Sequence, residues 1–210
     1  PVNVVDSRLT APVDVDGGTY AYLSDLSGHP IPASPRLEGW PGMAWDRHLL
    51  IVDSATCTAS EMFFVTPPGL SPTHRWGAET AVRIDLESNA PRAEGTATAS
   101  GTSMLAGMVR YDEVARDRLD HAIVVSVPTV RAGAVRWPAT HTDGRSEDPR
   151  APEMRSWFRL RRDVDLSALG PQARVVARAL RDHGAVVADT NHDGLALSGE
   201  PDERWDDADL

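Results

Sequence analysis

HLLIVDSATCTASEMFFV, residues 48–65, is the stretch on which the fold class turns. His48 to Asp53 is a continuous apolar run of the length of a buried strand, and Glu61 to Val65 answers it across a Ser/Thr-rich loop that holds Cys57. Two such runs joined by a short polar segment predict a β-hairpin. Outward from it, Thr19 to Leu23, Ala81 to Leu86, Ala122 to Val127, Ala134 to Trp137 and Trp157 to Leu160 read as further short strands, rich in β-branched and aromatic residues and punctuated by Pro and Gly. The expectation is a mainly β protein, a sandwich or jelly roll, formed as one domain over 1–210.

Two helices interrupt the pattern. Residues 171–183 (PQARVVARALRDH) begin with Pro at the first helical position and stop before Gly184. Ala173, Val176 and Leu180 share one face there, with Val175 and Ala179 beside them. A shorter helix is expected from Tyr111 to Arg118, where Arg116 lies within helical reach of Asp112 and Glu113. Residues 142–152 and the acidic tail 201–210 read as loops.

The 210 residues carry a net charge of −10, which excludes partners held through phosphates, so neither nucleic acid nor an anionic membrane is expected. All 21 basic residues are Arg, a side chain suited to carboxylate recognition. The single Cys57 rules out an intramolecular disulfide. No apolar run reaches the roughly 20 residues that span a bilayer. Pro1 follows no charged or apolar leader, so the start reads as processed, and polar Thr/Ser/Gly/Pro-rich loops fit an extracellular, secreted protein.

Three motifs are tested and set aside. Asp189 to Glu200 (DTNHDGLALSGE) fits a calcium-loop pattern through Asp189, Asn191, Asp193, Gly194 and Glu200, but a strand precedes it and Pro201 follows, so a hairpin with an Asn-His-Asp-Gly tip is the expectation. Gly101 to Met104 (GTSM) resembles the nucleophile segment of subtilisin-like proteases, without that family's flanking residues or its upstream Asp and His segments. The seven histidines show no paired spacing, so neither a metal nor another cofactor is expected, although His48, His121 and His141 could still converge in space.

What remains is a set of acids, imidazoles, a guanidinium and indoles, the groups that sugar chemistry uses. Glu38 lies in RLEGW and Asp46 and His48 in WDRH, beside Trp residues at the mouth of the apolar hairpin. Asp112 and Glu113 are adjacent and cannot enter one cleft together; Asp112, next to Arg110 and Tyr111, is the choice. The expected catalytic residues are Glu38, Asp46, His48, Asp112, His121 and His141, and the expected substrate-binding residues are Trp40, Arg110, Tyr111 and Trp137. Trp40, Trp45 and Trp205 sit in Gly/Pro/Asp-rich surroundings that favour the surface, whereas Trp137 and Trp157 lie in strand-like runs that favour the core.

The segments EGW (38–40), DRHLLIVD (46–53), GMVRYDEV (107–114), HAIVV (121–125) and WPATH (137–141) occur in an order that resembles an uncharacterised family of secreted, largely actinobacterial proteins. The resemblance runs from about Leu37 to Trp205. It implies export and a single domain across the chain, and no activity. From the residues themselves the expectation is a carbohydrate-active enzyme that cleaves a polysaccharide or glycoside with two carboxyl groups, one protonated and one ionised. A β-elimination lyase is the variant, with a histidine as base, Tyr111 as acid and Arg110 neutralising a uronate. The alternatives are a non-catalytic carbohydrate-binding module and a metal-dependent enzyme built on the scattered histidines.

Overall fold

A computed structural model describes residues 1–42, 45–90 and 95–210. Strands predominate, in several sheets, and one long helix lies in the C-terminal region. The chain contacts cluster into two compact units, Pro1–Leu105 and Ala106–Leu210, and each is described by itself.

In the first unit the strands are β1 (Val2–Val5), β2 (Asp16–Gly17), β3 (Leu49–Asp53), β4 (Thr58–Phe63), β5 (Gly77–Ala78) and β6 (Thr80–Asp85). β1, β3, β4 and β6 form one sheet in that order, and β2 and β5 pair separately. The expected hairpin is β3 and β4, antiparallel with Leu49 opposite Met62 and Asp53 opposite Thr58. Its turn is tighter than the sequence suggests, because Asp53 organises it: the carboxylate accepts the Ala55 N–H at 3.0 Å, the Thr56 hydroxyl at 2.6 Å and the Ser7 N–H at 3.0 Å. Burial alone would raise the Asp53 pKa; these bonds outweigh it and hold the carboxyl well below its ordinary value.

β1 is too short to announce itself in sequence and is held by its alternation. Val4 faces solvent while Asn3 and Val5 are buried. The Asn3 amide donates to the carbonyls of Arg36 and Leu50, both at 3.0 Å, and its oxygen accepts the Arg36 N–H at 2.7 Å. Leu49, Ile51, Met62, Val65 and Ala81 are fully buried and form the core of this unit. The strand expected at Thr19 to Leu23 is instead a 3-10 turn over Ala21–Leu23. The Glu79 carboxylate captures the Thr19 N–H at 2.7 Å, and the Leu23 N–H turns back to the Tyr20 carbonyl, so no ladder partner is used.

The second unit contains α1 (Tyr111–Ala115), β7 (Ile123–Val127), β8 (Trp157–Phe158), α2 (Pro171–Asp182), β9 (Ala185–Thr190) and β10 (Ala196–Leu197), with sheet order β10, β7, β9, β8. β7 and β9 are parallel, and α2 lies in the crossover that parallel neighbours require. α2 buries Val175, Val176, Ala177 and Ala179; Val175, Val176 and Ala179 belong to the apolar stripe the sequence predicts, while Ala173 and Leu180 of that stripe are only half-buried. Fully buried Ile123, Val125, Val187, Val130 and Met154 complete the core.

Three local expectations change here. Residues 189–200 do not form a hairpin: β7 stands between β9 and β10, so the loop carries the chain across the end of β7 to its far side. The expected strand 134–137 reduces to a bridge between Val135 and Met154, and the expected strand 157–160 to the two residues of β8. The tail 201–210 is irregular, as expected, yet anchored. The Asp209 carboxylate accepts the Gln172 N–H at 2.7 Å at the start of α2, and the Trp205 indole N–H donates to the Glu200 carbonyl at 2.9 Å.

Candidate functional site

The ten residues singled out in sequence fall into both units. In the first, Glu38 and His48 are brought together. The Glu38 carboxylate accepts the His48 backbone N–H at 2.9 Å and lies 3.1 Å from Nδ1 of the same residue. Burial pushes the Glu38 pKa up, but the His48 bonds prevail and its carboxyl sits below its ordinary value. His48 is buried, with Nε2 3.3 Å from the Ala97 carbonyl and its ring 5.5 Å from that of Phe63. Asp46 is exposed, and its backbone carbonyl accepts the Phe64 N–H. Trp40 is 48% exposed.

In the second unit Arg110, Tyr111, Asp112 and His121 gather around α1, but the acid at the centre is Glu113, not Asp112. Arg110 grips Glu113 through two N–H donors at 3.1 and 2.8 Å, and His121 Nε2 lies 3.4 Å from the same carboxylate. Burial raises the Glu113 pKa, and Arg110 and then His121 bring it below its ordinary value. Asp112 turns outward to Arg204 at 3.1 Å, the ion pair that the sequence assigns to Arg116. The tail covers this cluster: Trp205 meets the Tyr111 ring edge-on at 5.1 Å, and the Arg204 guanidinium lies 4.2 Å from that ring. Glu200 accepts the Tyr111 N–H at 2.9 Å, so this carboxylate serves α1 and not the 189–200 loop. His141 Nδ1 meets the Thr140 hydroxyl at 2.7 Å.

Ser103 of the GTSM segment has a structural partner. Its hydroxyl donates to Glu61, a fully buried β4 carboxylate that also accepts the N–H groups of Met104 at 2.9 Å and Leu105 at 3.2 Å. Among the described residues, no three His, Cys, Asp or Glu groups meet as a metal site would require, and no helix is long and apolar enough to cross a membrane.

A concave site of the second unit lies elsewhere. An open groove of about 800 Å³ is lined by Arg136, Trp137, Glu153, Arg155, Trp157 and Phe158. Residues 154–156 beside it are hydrogen-bonded on both sides. The Met154 N–H donates to the Ala134 carbonyl and the Arg136 N–H to that of Met154; on the other side Arg155 and Val187 bond, as do Val187 and Ser156. β8 is the sheet edge, so the consecutive Trp157 and Phe158 both remain exposed. Trp137 is 81% exposed and Trp157 61%, against the core placement their strand-like surroundings suggest. The Trp157 indole N–H donates to the His183 carbonyl at 3.0 Å, which fixes the ring. It can approach only because position 184 is glycine, at φ +89°, where a Cβ would lie 2.5 Å from that indole nitrogen.

The groove is cationic in a protein of net charge −10. Among the described residues, Arg136, Arg150 and Arg155 line it against one acid, Glu153, which pairs with Arg136 at 2.8 Å and with Arg131. Arg155 stands at φ +71°, a left-handed conformation costing a side-chain-bearing residue about 1 kcal/mol. Burial pushes its guanidinium below its ordinary pKa, though it stays charged at neutral pH. Of the groove residues, sequence reasoning selects only Trp137. The signal for the others is a repeated juxtaposition, Arg136 beside Trp137 and Arg155 two before Trp157, on segments that pair in space.

No protein-family model, curated protein or solved structure matches this chain.

Proposed function

We propose that the chain is an extracellular carbohydrate-binding protein whose binding site is the Trp137–Trp157 groove. The observation that carries this reading is the exposure of two indoles, 81% and 61%, on one groove whose backbone is hydrogen-bonded on both sides. Exposed indoles present large rigid apolar faces of the kind that stack on sugar rings, and the volume is within the usual range of ligand sites. Binding is favoured over the two-carboxylate hydrolysis expected from sequence because, among the described residues, Glu153 is the one acid lining the groove, and two arginines already engage it. A glycosidase needs a second carboxyl group across the scissile bond.

Titration calorimetry against a panel of oligosaccharides tests this. Trp137→Ala should weaken binding tenfold or more with the near-ultraviolet circular dichroism otherwise preserved, Trp40→Ala in the first unit should leave it unchanged, and no new reducing ends should appear. Failure of every glycan to bind, or equal binding by Trp137→Ala, would overturn the reading.

A further inference from the structure

We infer that the sugar bound in this groove is acidic, a uronate whose carboxylate is taken by Arg155 with Arg136 beside it; this rests on the carbohydrate-binding reading and specifies its ligand class. The argument begins with charge. Among the described residues, three guanidinium groups line the groove against a single carboxylate, in a chain whose overall charge is strongly negative. A cationic concavity on an acidic protein selects an anion locally while the rest of the surface repels it.

The second observation is chemical type. Guanidinium presents a planar fork of donors that matches a carboxylate in two bonds, which a point-charge ammonium does not. Arg136 makes its pair with Glu153 at the exposed rim, its side chain 63% accessible, and an exposed pair of this kind exchanges readily for a ligand carboxylate. Arg150 is more exposed still, at 89%, and sits in its own pair with Asp148. Arg155 differs from both in being half-buried.

The third observation is backbone geometry. Arg155 holds its left-handed conformation between two zipped neighbours, Met154 to the 134–136 segment and Ser156 to β9. In an extended strand residues 155 and 157 would share one face; the left-handed conformation at 155 takes it out of that pleat two residues before Trp157. Strain of this kind persists only where surroundings enforce it, and it concentrates at ligand sites. A uronic acid offers what the groove pairs: a ring face for the indoles and, at C6, a carboxylate for the guanidinium.

The test compares matched ligands that differ in charge alone. Oligogalacturonate, oligoalginate and oligoglucuronate, each with its carboxyl-reduced neutral counterpart, are titrated into the full chain at 0.05 and 0.5 M NaCl. At least one acid form should bind tenfold or more tighter than its reduced counterpart at low salt, with the gap narrowing at high salt as screening demands. Arg155→Gln should remove most of the gap and leave binding of the neutral form within twofold, and Arg155→Lys should restore it only in part. Arg136→Gln, at a more accessible position, should reduce the gap in a background where folding is not in question. If neutral sugars bind as well as acidic ones, this inference fails while the carbohydrate reading stands. If no sugar of either kind binds, the carbohydrate reading fails and this inference with it.

Discussion

Gly184 and Trp157 are in direct contact, and a Cβ at residue 184 would sit 2.5 Å from the indole nitrogen and 2.6 Å from the Phe158 carbonyl. Gly184→Ala meets both that overlap and the φ of +89°, so unfolding in denaturant should show a loss of about 2 kcal/mol or more. The same variant should weaken glycan binding, because the indole must move. Unchanged stability would mean that the close approach does not exist in solution.

Asp209 supplies the first-turn cap of α2 from the tail. Asp209→Ala should cost about 1 kcal/mol by thermal or chemical unfolding, through the lost Gln172 bond and the lost negative charge at a helix N-terminus. Asp207→Ala, at an exposed neighbour, should change little. Equal effects of the two would show that general tail charge, not capping, matters.

Glu61 ties residues 103–105 to the central strand β4. Glu61→Gln keeps the shape but points amide hydrogens at donors, leaving buried N–H groups unsatisfied, a penalty of about 2 kcal/mol or more. Ser103→Ala removes one donor and should cost less. A smaller effect for Glu61→Gln than for Ser103→Ala would contradict this account.

His29 is fully buried, with Nε2 2.8 Å from the Asp25 carbonyl and Nδ1 3.0 Å from the Ser60 hydroxyl. A carbonyl only accepts, so Nε2 carries the proton and Nδ1 accepts the Ser60 hydroxyl. Burial lowers the His29 pKa. The unfolded chain therefore takes up a proton near pH 6.5 that the folded chain refuses, and the stability from neutral His29 is present above about pH 6.5 and lost as pH falls below it. The drop in melting temperature between pH 7.5 and 5.0 should be smaller in His29→Gln than in the parent. An identical drop would remove His29 as its source.

How far the sequence speaks depends on whether the signal is local. β3, β4, β6, β7 and α2 were legible because each carries its own periodicity or apolar run, and α2 its Pro171 start and Gly184 stop. β1 was not, since VNVV is only four residues and each pairs in β3 with a residue 48 further along, as Val2 does with Leu50. Thr19 to Leu23 has strand-like composition, but a single distant carboxylate, Glu79, diverts it. In the candidate site, the pairing of Glu38 with His48 and the gathering of Arg110, Tyr111 and His121 follow segments that already stood out. The choice between Asp112 and Glu113 did not, because it depends on Arg204 from the tail. The groove was hidden for the same reason: its residues come from two segments that meet through the ladder at Met154 and the Glu153 ion pairs with Arg131 and Arg136.

The tail has a consequence for how the second unit comes into being. Glu200 closes the start of α1 and Asp209 the start of α2, so one ten-residue stretch holds both helix entrances. During synthesis neither clasp can form until that stretch has left the ribosome, some ninety residues after Tyr111 has been made. The entrances of both helices therefore depend on residues that themselves have no regular structure. Emergence of residues 200–209, rather than growth of any strand, sets the moment at which both helix starts are closed.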